Sequence, residues 1–360
     1  MTIARNDLPI DDILEEYKAI VDKAIEKYIP RKLDEHKLAA LVGKPSYEFD
    51  LVAGENSVTA PVWDLLDRGG KRWRPALTML VGECLGKAAA EMADVALAAE
   101  IVHNGTLMVD DIEDGSEMRR GKPCTHKLFG IDIAVNAGNA MYYLALAPVL
   151  GNQKYSEKER VKAYEAYIQE MIRLAFGQGT DIYWHNGGNL EVNERQYLQM
   201  CAFKTGTIAR LAAKWGAIFA GGKEKQIESA GKFAESLGVA FQIQDDVLNL
   251  LGEEGKYGKD PGGDITEGKR TLLVIYALNN SERHDTQKLE EILKEHTRDR
   301  KKIATAIAII KQSGAVGYAN EQARKIVLAA WGEFDKEFPT ESEAKEILKK
   351  LAIFAIERSV

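Results

Sequence analysis

The sequence predicts an all-α protein, a bundle of long helices. Apolar residues recur at helical spacing along nearly the whole chain, alternating apolar–polar runs bounded by hairpin turns are scarce, and the chain breakers are short and local. Residues 11–28 place Ile13, Leu14, Tyr17, Ile20, Val21, Ala24 and Ile25 on one face, with acids and lysines opposite. Comparable stripes run through 73–86, 90–110, 131–148, 157–178, 193–220, 224–251, 269–280, 301–313, 315–334 and 341–357. Between them stand YIP at 28–30, VGKPSYEFD at 42–50, WHNGGNLEVN at 184–193 and the glycine-rich LGEEGKYGKDPGGDITEGKRT at 251–271. No repeat and no low-complexity linker divides the chain. One domain over residues 1–360 is therefore expected, with 1–50 as an N-terminal helical extension.

At 360 residues and 45% hydrophobic content the chain can bury a sizeable core. A formal net charge of −7 argues against nucleic acid as a partner bound through phosphate neutralisation. Cys84, Cys124 and Cys201 lie far apart with no C-x-x-C pair, which suggests neither a zinc knuckle nor a disulfide framework and fits a reducing interior. MTIARNDLPIDDILEEYK carries acids where an export signal needs an apolar run. IDIAVNAGNAMYYLALAPVLG is broken by Asp132, Asn136, Asn139 and Pro148, so it reads as a buried core helix and not as a transmembrane segment. A cytoplasmic location follows as the expectation.

Two acid clusters carry the chemistry. In LMVDDIEDGSEMRRGKP, Leu107 to Pro123, helical spacing of ~100° per residue puts Asp110, Asp111 and Asp114 on one narrow face. In FQIQDDVLN, Asp245, Asp246 and Asn249 occupy the same arc, with Gln242 beside them. A pair of adjacent aspartates is ordinarily a solvated helix end. Here both clusters interrupt the apolar face of a long helix, and each precedes a basic loop containing glycine. Hard oxygen donors at D-x-x-D spacing suit Mg²⁺, which takes a few carboxylates together with phosphate oxygens. His36, His103, His126, His185, His284 and His296 are too dispersed for a zinc site. Arg119, Arg120 and the run Gly69-Gly70-Lys71-Arg72-Trp73-Arg74-Pro75 supply guanidinium forks for phosphate, and Lys204-Thr205-Gly206, Lys259 and Lys269 add point charges. Gly263 to Lys269 matches G-x-x-x-x-G-K, but Arg270 stands where a P-loop needs Ser or Thr and no hydrophobic strand precedes it.

Taken in order, these stretches resemble the trans-prenyltransferases, the polyprenyl diphosphate synthases of the class I isoprenoid fold. DDIEDGSEMRRGKP is similar to their first aspartate-rich motif, GGKRWRP to their homoallylic-diphosphate motif, and FQIQDDVLNLLG…GKYGKDPGGDITEGKRTL to their second aspartate-rich region. GQGTDIYW and MCAFKTGTIARLAA resemble the helices between, so the match runs from about Gly69 to Leu273.

The resemblance implies helices around a deep cavity, usually in a homodimer, with the acid clusters facing across its mouth and three Mg²⁺ ions per active site. It implies that Asp110, Asp111 and Asp114 hold Mg²⁺ on an allylic diphosphate, and that Asp245, with Asp246 as helper, holds the third ion. Arg119, Lys204, Gln242, Lys259 and Lys269 would grip that diphosphate with Thr205 assisting; Lys71, Arg74, His103 and Arg120 would hold isopentenyl diphosphate. Asn249 departs from the family's D-D-x-x-D, since an amide brings no charge.

In this family a bulky ring four or five positions before the first Asp closes the cavity early. Here those positions are Thr106 and Gly105, which implies a product of C20 or longer. A farnesyl (C15) product, a class I terpene cyclase and a non-catalytic synthase subunit are the alternatives. The cyclase would leave Lys71, Arg74 and Arg120 idle, and a non-catalytic subunit would be expected to lose metal ligands.

Overall fold

The structure, a computed structural model, describes residues 5–188, 191–252 and 262–357. Its longer helices are α1 (Ile10–Tyr28), α2 (Trp73–Cys84), α3 (Ala89–Glu113), α4 (Ile131–Leu144), α5 (Glu157–His185), α6 (Thr207–Phe219), α7 (Glu224–Leu251), α8 (Leu272–Asn280), α9 (Arg283–Lys294), α10 (Arg300–Gln312), α11 (Ala315–Glu337) and α12 (Glu343–Glu357). Among the described residues, strand is confined to β1 (Met118–Arg119) and β2 (Lys122–Pro123), which pair antiparallel. The all-α expectation holds. No described helix is long and apolar enough to cross a membrane.

Several boundaries differ from the periodicity. The stripe at 193–220 is split: a helix over Glu194–Cys201, a wide π turn over Ala202–Gly206, then α6. The stripe at 269–280 starts later, because the Thr271 hydroxyl accepts from Val274 N and caps α8. α9 was not among the expected stripes; it is mostly polar and buries only Leu289, Ile292 and Leu293.

The described chain divides into two compact units. The first comprises Met1–Ala166, Leu211–Ile227 and Thr340–Ile347, and the second Tyr167–Arg210, Glu228–Pro339 and Leu348–Val360. In the first, α3 packs against α1, α2 and α4. The expected face of α1 is its buried face: Ile13, Leu14, Tyr17, Val21, Ala24 and Ile25 lie in the core against α2 and α3. Burying six such side chains offsets part of the cost of ordering the helix. α4 corrects the reading of 131–148 as a core helix. Ala134, Ala137, Gly138 and Met141 are buried, but Ile131, Val135 and Tyr143 stay 60%, 37% and 77% exposed.

In the second unit, Phe233 of α7 meets Trp331 and Phe334 of α11 at ring distances of 5.3 and 5.1 Å. Tyr276 of α8 stacks on Tyr318 of α11 at 4.3 Å. Gly177 of α5 lies directly against the backbone of Phe203 and Lys204, where a Cβ would collide. This close approach fixes the π turn that presents Lys204 and Thr205. Gly177→Ala is expected to lower stability by about 1–3 kcal/mol through overpacking, read as a fall in the urea midpoint.

Candidate active site

The first acid cluster sits on the last turn of α3. Asp110 and Asp114 are half-buried, whereas Asp111 is 1% exposed. Repulsion among them is relieved by Arg119, whose Nε and Nη2 donate to Asp111 Oδ1 at 2.9 and 2.5 Å and whose Nη2 lies 3.8 Å from Asp110. The chain reaches this position through the β1–β2 turn, where Arg120 (φ 50°) and Gly121 (φ 75°) take the left-handed conformation. Arg68 pins the turn by donating to Arg119 O at 3.0 Å and Pro123 O at 2.8 Å, while pairing with Asp64 at 2.5 Å.

Around this turn the first unit gathers positive charge. Arg120 donates to Gly69 O and, at 3.2 Å, to Asn104 Oδ1. Lys71 meets Asp11 of α1 at 2.7 Å, and Arg74 is buried with its guanidinium 4.5 Å from the Trp73 ring centroid. Burial and the nearby Arg74, Arg120, Arg119 and Arg72 hold the His103 imidazole well below its ordinary proton affinity. Burial beside several guanidiniums makes the surroundings of His103 a candidate site for an anion.

In the second unit Asp245 is exposed and Asp246 is 7% exposed. Tyr197 Oη donates to Asp246 Oδ2 at 2.6 Å, and Gln242 Nε2 donates to Oδ1 at 2.9 Å. Thr205 in turn donates to Gln242 Oε1 at 2.8 Å. The sequence suggested Asp246 as a helper at the metal; in the structure both its oxygens accept from protein donors and it orients Gln242. Burial first, then the Asp264 carboxylate, push its pKa up to about 8. Lys204 pairs with Asp181 at 2.6 Å, and Lys269 with Glu267 at 2.5 Å and Asp264 at 3.6 Å. Asn249, the departure from the motif, accepts from Asp264 N at 3.1 Å through its amide oxygen and so braces the segment carrying Asp264 and Lys269. Lys259 lies outside the described residues.

Asp181, Asp264 and Glu100 take part in these arrangements and were not anticipated. Asp181 follows Gly177 by one turn of α5, but a lone acid on an amphipathic helix gives no sequence signal until Lys204 is seen beside it. A cavity of 870 Å³ in the second unit, lined by Gln244, Val247, Leu248, Leu251, Leu328 and Ile356 among others, holds none of the anticipated residues.

Gly105 requires a correction. A Cβ there would lie 2.9 Å from Gly138 O, 2.9 Å from Met141 Cβ and 3.1 Å from the Tyr142 ring. The small residue brings α3 and α4 together, a packing role that the sequence did not show. Thr106, half-buried with its hydroxyl on His103 O at 2.7 Å, is the remaining position of the pair.

Among the described residues no three His, Cys, Asp or Glu side chains converge into a metal cage. Asp110 and Asp114 in the first unit, and separately Asp245 in the second, are hard oxygen donors with solvent access, the kind that suits an ion bound by one or two carboxylates with water and phosphate as its other ligands. That description matches Mg²⁺.

His103 also sets a pH dependence. Its folded-state pKa is depressed, so between that value and the ordinary pKa the unfolded chain binds a proton that the folded chain does not. Stability is therefore present above about pH 6.5 and drains as pH falls below it. His103→Gln is expected to flatten that acid limb, measured as Tm against pH.

The comparisons with known proteins agree with this geometry. A family model described as polyprenyl synthetase matches residues 55–310. The short chain isoprenyl diphosphate synthase of Methanothermobacter thermautotrophicus is 34% identical over 352 residues, 98% of this chain and 99% of that protein. The geranylfarnesyl diphosphate synthase of Aeropyrum pernix is 34% identical over 298 residues, 82% of this chain and 92% of that one. The crystal structure of geranylgeranyl pyrophosphate synthetase from Pyrococcus horikoshii Ot3 matches with a TM-score of 0.82 at 27% identity, covering 97% of this chain and 98% of that one. With a family model spanning more than half its length and a relative matched nearly end to end, the chain belongs to the polyprenyl synthetase family.

Proposed function

We propose that this enzyme joins isopentenyl diphosphate head-to-tail to an allylic diphosphate, giving a trans-polyprenyl diphosphate of C20 or longer. The observation that carries this reading is the anion receptor around His103, built beside a carboxylate turn suited to magnesium. Relatives named for geranylgeranyl and geranylfarnesyl products support the chain length over a farnesyl product. A terpene cyclase, with one diphosphate substrate, would have no use for Lys71, Arg74 and Arg120.

In this reading Asp110 and Asp114 hold magnesium on the allylic diphosphate, Asp111 joins them as Arg119 turns from it to the substrate, and Asp245 holds a further ion on it. Magnesium, when bound, neutralises charge on the departing diphosphate. Arg119, Lys204 and Lys269 share that task, with Gln242 and Thr205 hydrogen-bonding the same group and Lys259 assisting from outside the described residues. Arg119, Lys204 and Lys269 are each held on a carboxylate in this structure, so substrate oxygens replace existing partners, and these side chains need no large search. Lys71, Arg74, Arg120 and neutral His103 fix isopentenyl diphosphate near the allylic carbon. The new C–C bond forms from the isopentenyl double bond, and a proton leaves the resulting cation, with the released diphosphate as acceptor. Apolar walls exclude water from the cation.

We also assign a homodimer. Support comes from Ile131, Val135 and Tyr143 of α4, and from Ile168, Ile172, Phe176 and Tyr183, a stripe on α5 that is 49–69% exposed.

Incubation with both diphosphates and Mg²⁺ is expected to yield elongated, acid-labile products of C20 or longer. Chelation should stop turnover, Asp110→Ala or Asp245→Ala should cost about 10²–10³-fold in kcat, and Thr106→Phe should shorten the product. A hydrocarbon product, or activity untouched by chelator, refutes the reading. Sedimentation velocity should give a dimer that Phe176→Glu converts to monomer.

A further inference from the structure

The crowd of guanidiniums in the first unit is organised by one buried acid that is not among the residues assigned above. Glu100 of α3 is 3% exposed and Asn104, one turn later, is fully buried, so neither side chain touches a ligand. Glu100 Oε1 accepts from Arg72 Nη1 at 2.6 Å and from Asn104 Nδ2 at 2.6 Å. The Asn104 amide is thereby oriented with its oxygen outward, and Oδ1 accepts from Arg120 Nη1 at 3.2 Å.

Arg72, held in the left-handed region at φ 50°, spends its remaining donors on Asp22 at 3.2 Å and Leu66 O at 3.0 Å. This fixes the Gly69–Arg72 loop, whose Gly69 carbonyl also accepts from Arg120. Gly70 completes the cradle: a Cβ there would come within 3.3 Å of Arg120 Nη2. Arg120 is thus held from two sides, and both supports lead back to Glu100.

The geometry points to Glu100 and Asn104 as positioning residues that set where Arg120 and the Gly69–Arg72 loop meet the homoallylic diphosphate. This inference rests on the function proposed above, since it assigns Arg120 and Lys71 to isopentenyl diphosphate. The donor order matters: the residue at 100 accepts, and the residue at 104 donates to it while accepting from Arg120.

The test uses steady-state kinetics of the magnesium-loaded enzyme with each substrate varied in turn, and thermal unfolding of every variant. Asn104→Leu is expected to raise KM for isopentenyl diphosphate about 10- to 100-fold while KM for the allylic diphosphate and kcat stay within about threefold. Asn104→Asp alone sets a second carboxylate against Glu100 and should behave likewise. The double variant Glu100→Gln/Asn104→Asp reverses the donor–acceptor order at unchanged net charge, and should return that KM to within about fivefold of the parent. Equal KM rises for both substrates, a fall in kcat alone, or no rescue by the swap overturns the inference. A parent enzyme that makes no elongated product instead overturns the proposed function; an active parent with unselective variants overturns only this inference.

Discussion

Crowding guanidinium groups in a poorly solvated place is the constraint on which the rest of the first unit depends. Arg68, Arg72, Arg74, Arg119 and Arg120 would repel one another and lose hydration there without compensation. The fold supplies it with acids in fixed positions: the buried Asp111 for Arg119 and Glu100 for Arg72, and the half-buried Asp64 for Arg68. Main-chain carbonyls of Leu66, Gly69, Arg119 and Pro123 absorb further donors. Burial first, and then the remaining positive potential, hold the His103 imidazole well below its ordinary proton affinity. These pairings hold the guanidiniums in defined places within the first unit.

The second unit solves the same problem with lysines. Lys204 rests on Asp181 and Lys269 on Glu267, and each ammonium is a point charge with rotatable donors. The two oxygens of the buried Asp246 are taken by Tyr197 and Gln242, so it behaves as part of the scaffold that aims Gln242 and Thr205. Neighbouring acids in one motif thus differ by burial: Asp245 is exposed, whereas Asp246 is buried between two protein donors.

Glycines set the backbone distances that these arrangements need. Gly177 admits the turn bearing Lys204, and Gly105 admits α4 against α3. Both sit where a sequence motif invites a chemical reading, and in both the absent Cβ serves helix packing.

Helical periodicity, the paired acid motifs and the basic runs between them were enough to read the all-α fold, the family resemblance and most of the charged residues. These are properties of residue type and spacing, and a 3.6-residue repeat or a D-x-x-D face is fixed by local geometry alone. Pairing was not legible: Asp111 with Arg119, Lys204 with Asp181 and Glu100 with Arg72 join residues 8, 23 and 28 positions apart. Nor was the split of the 193–220 stripe, the exposed apolar side of α4, or the use of Gly105 in packing. Each depends on what another helix brings alongside, which only tertiary contact decides.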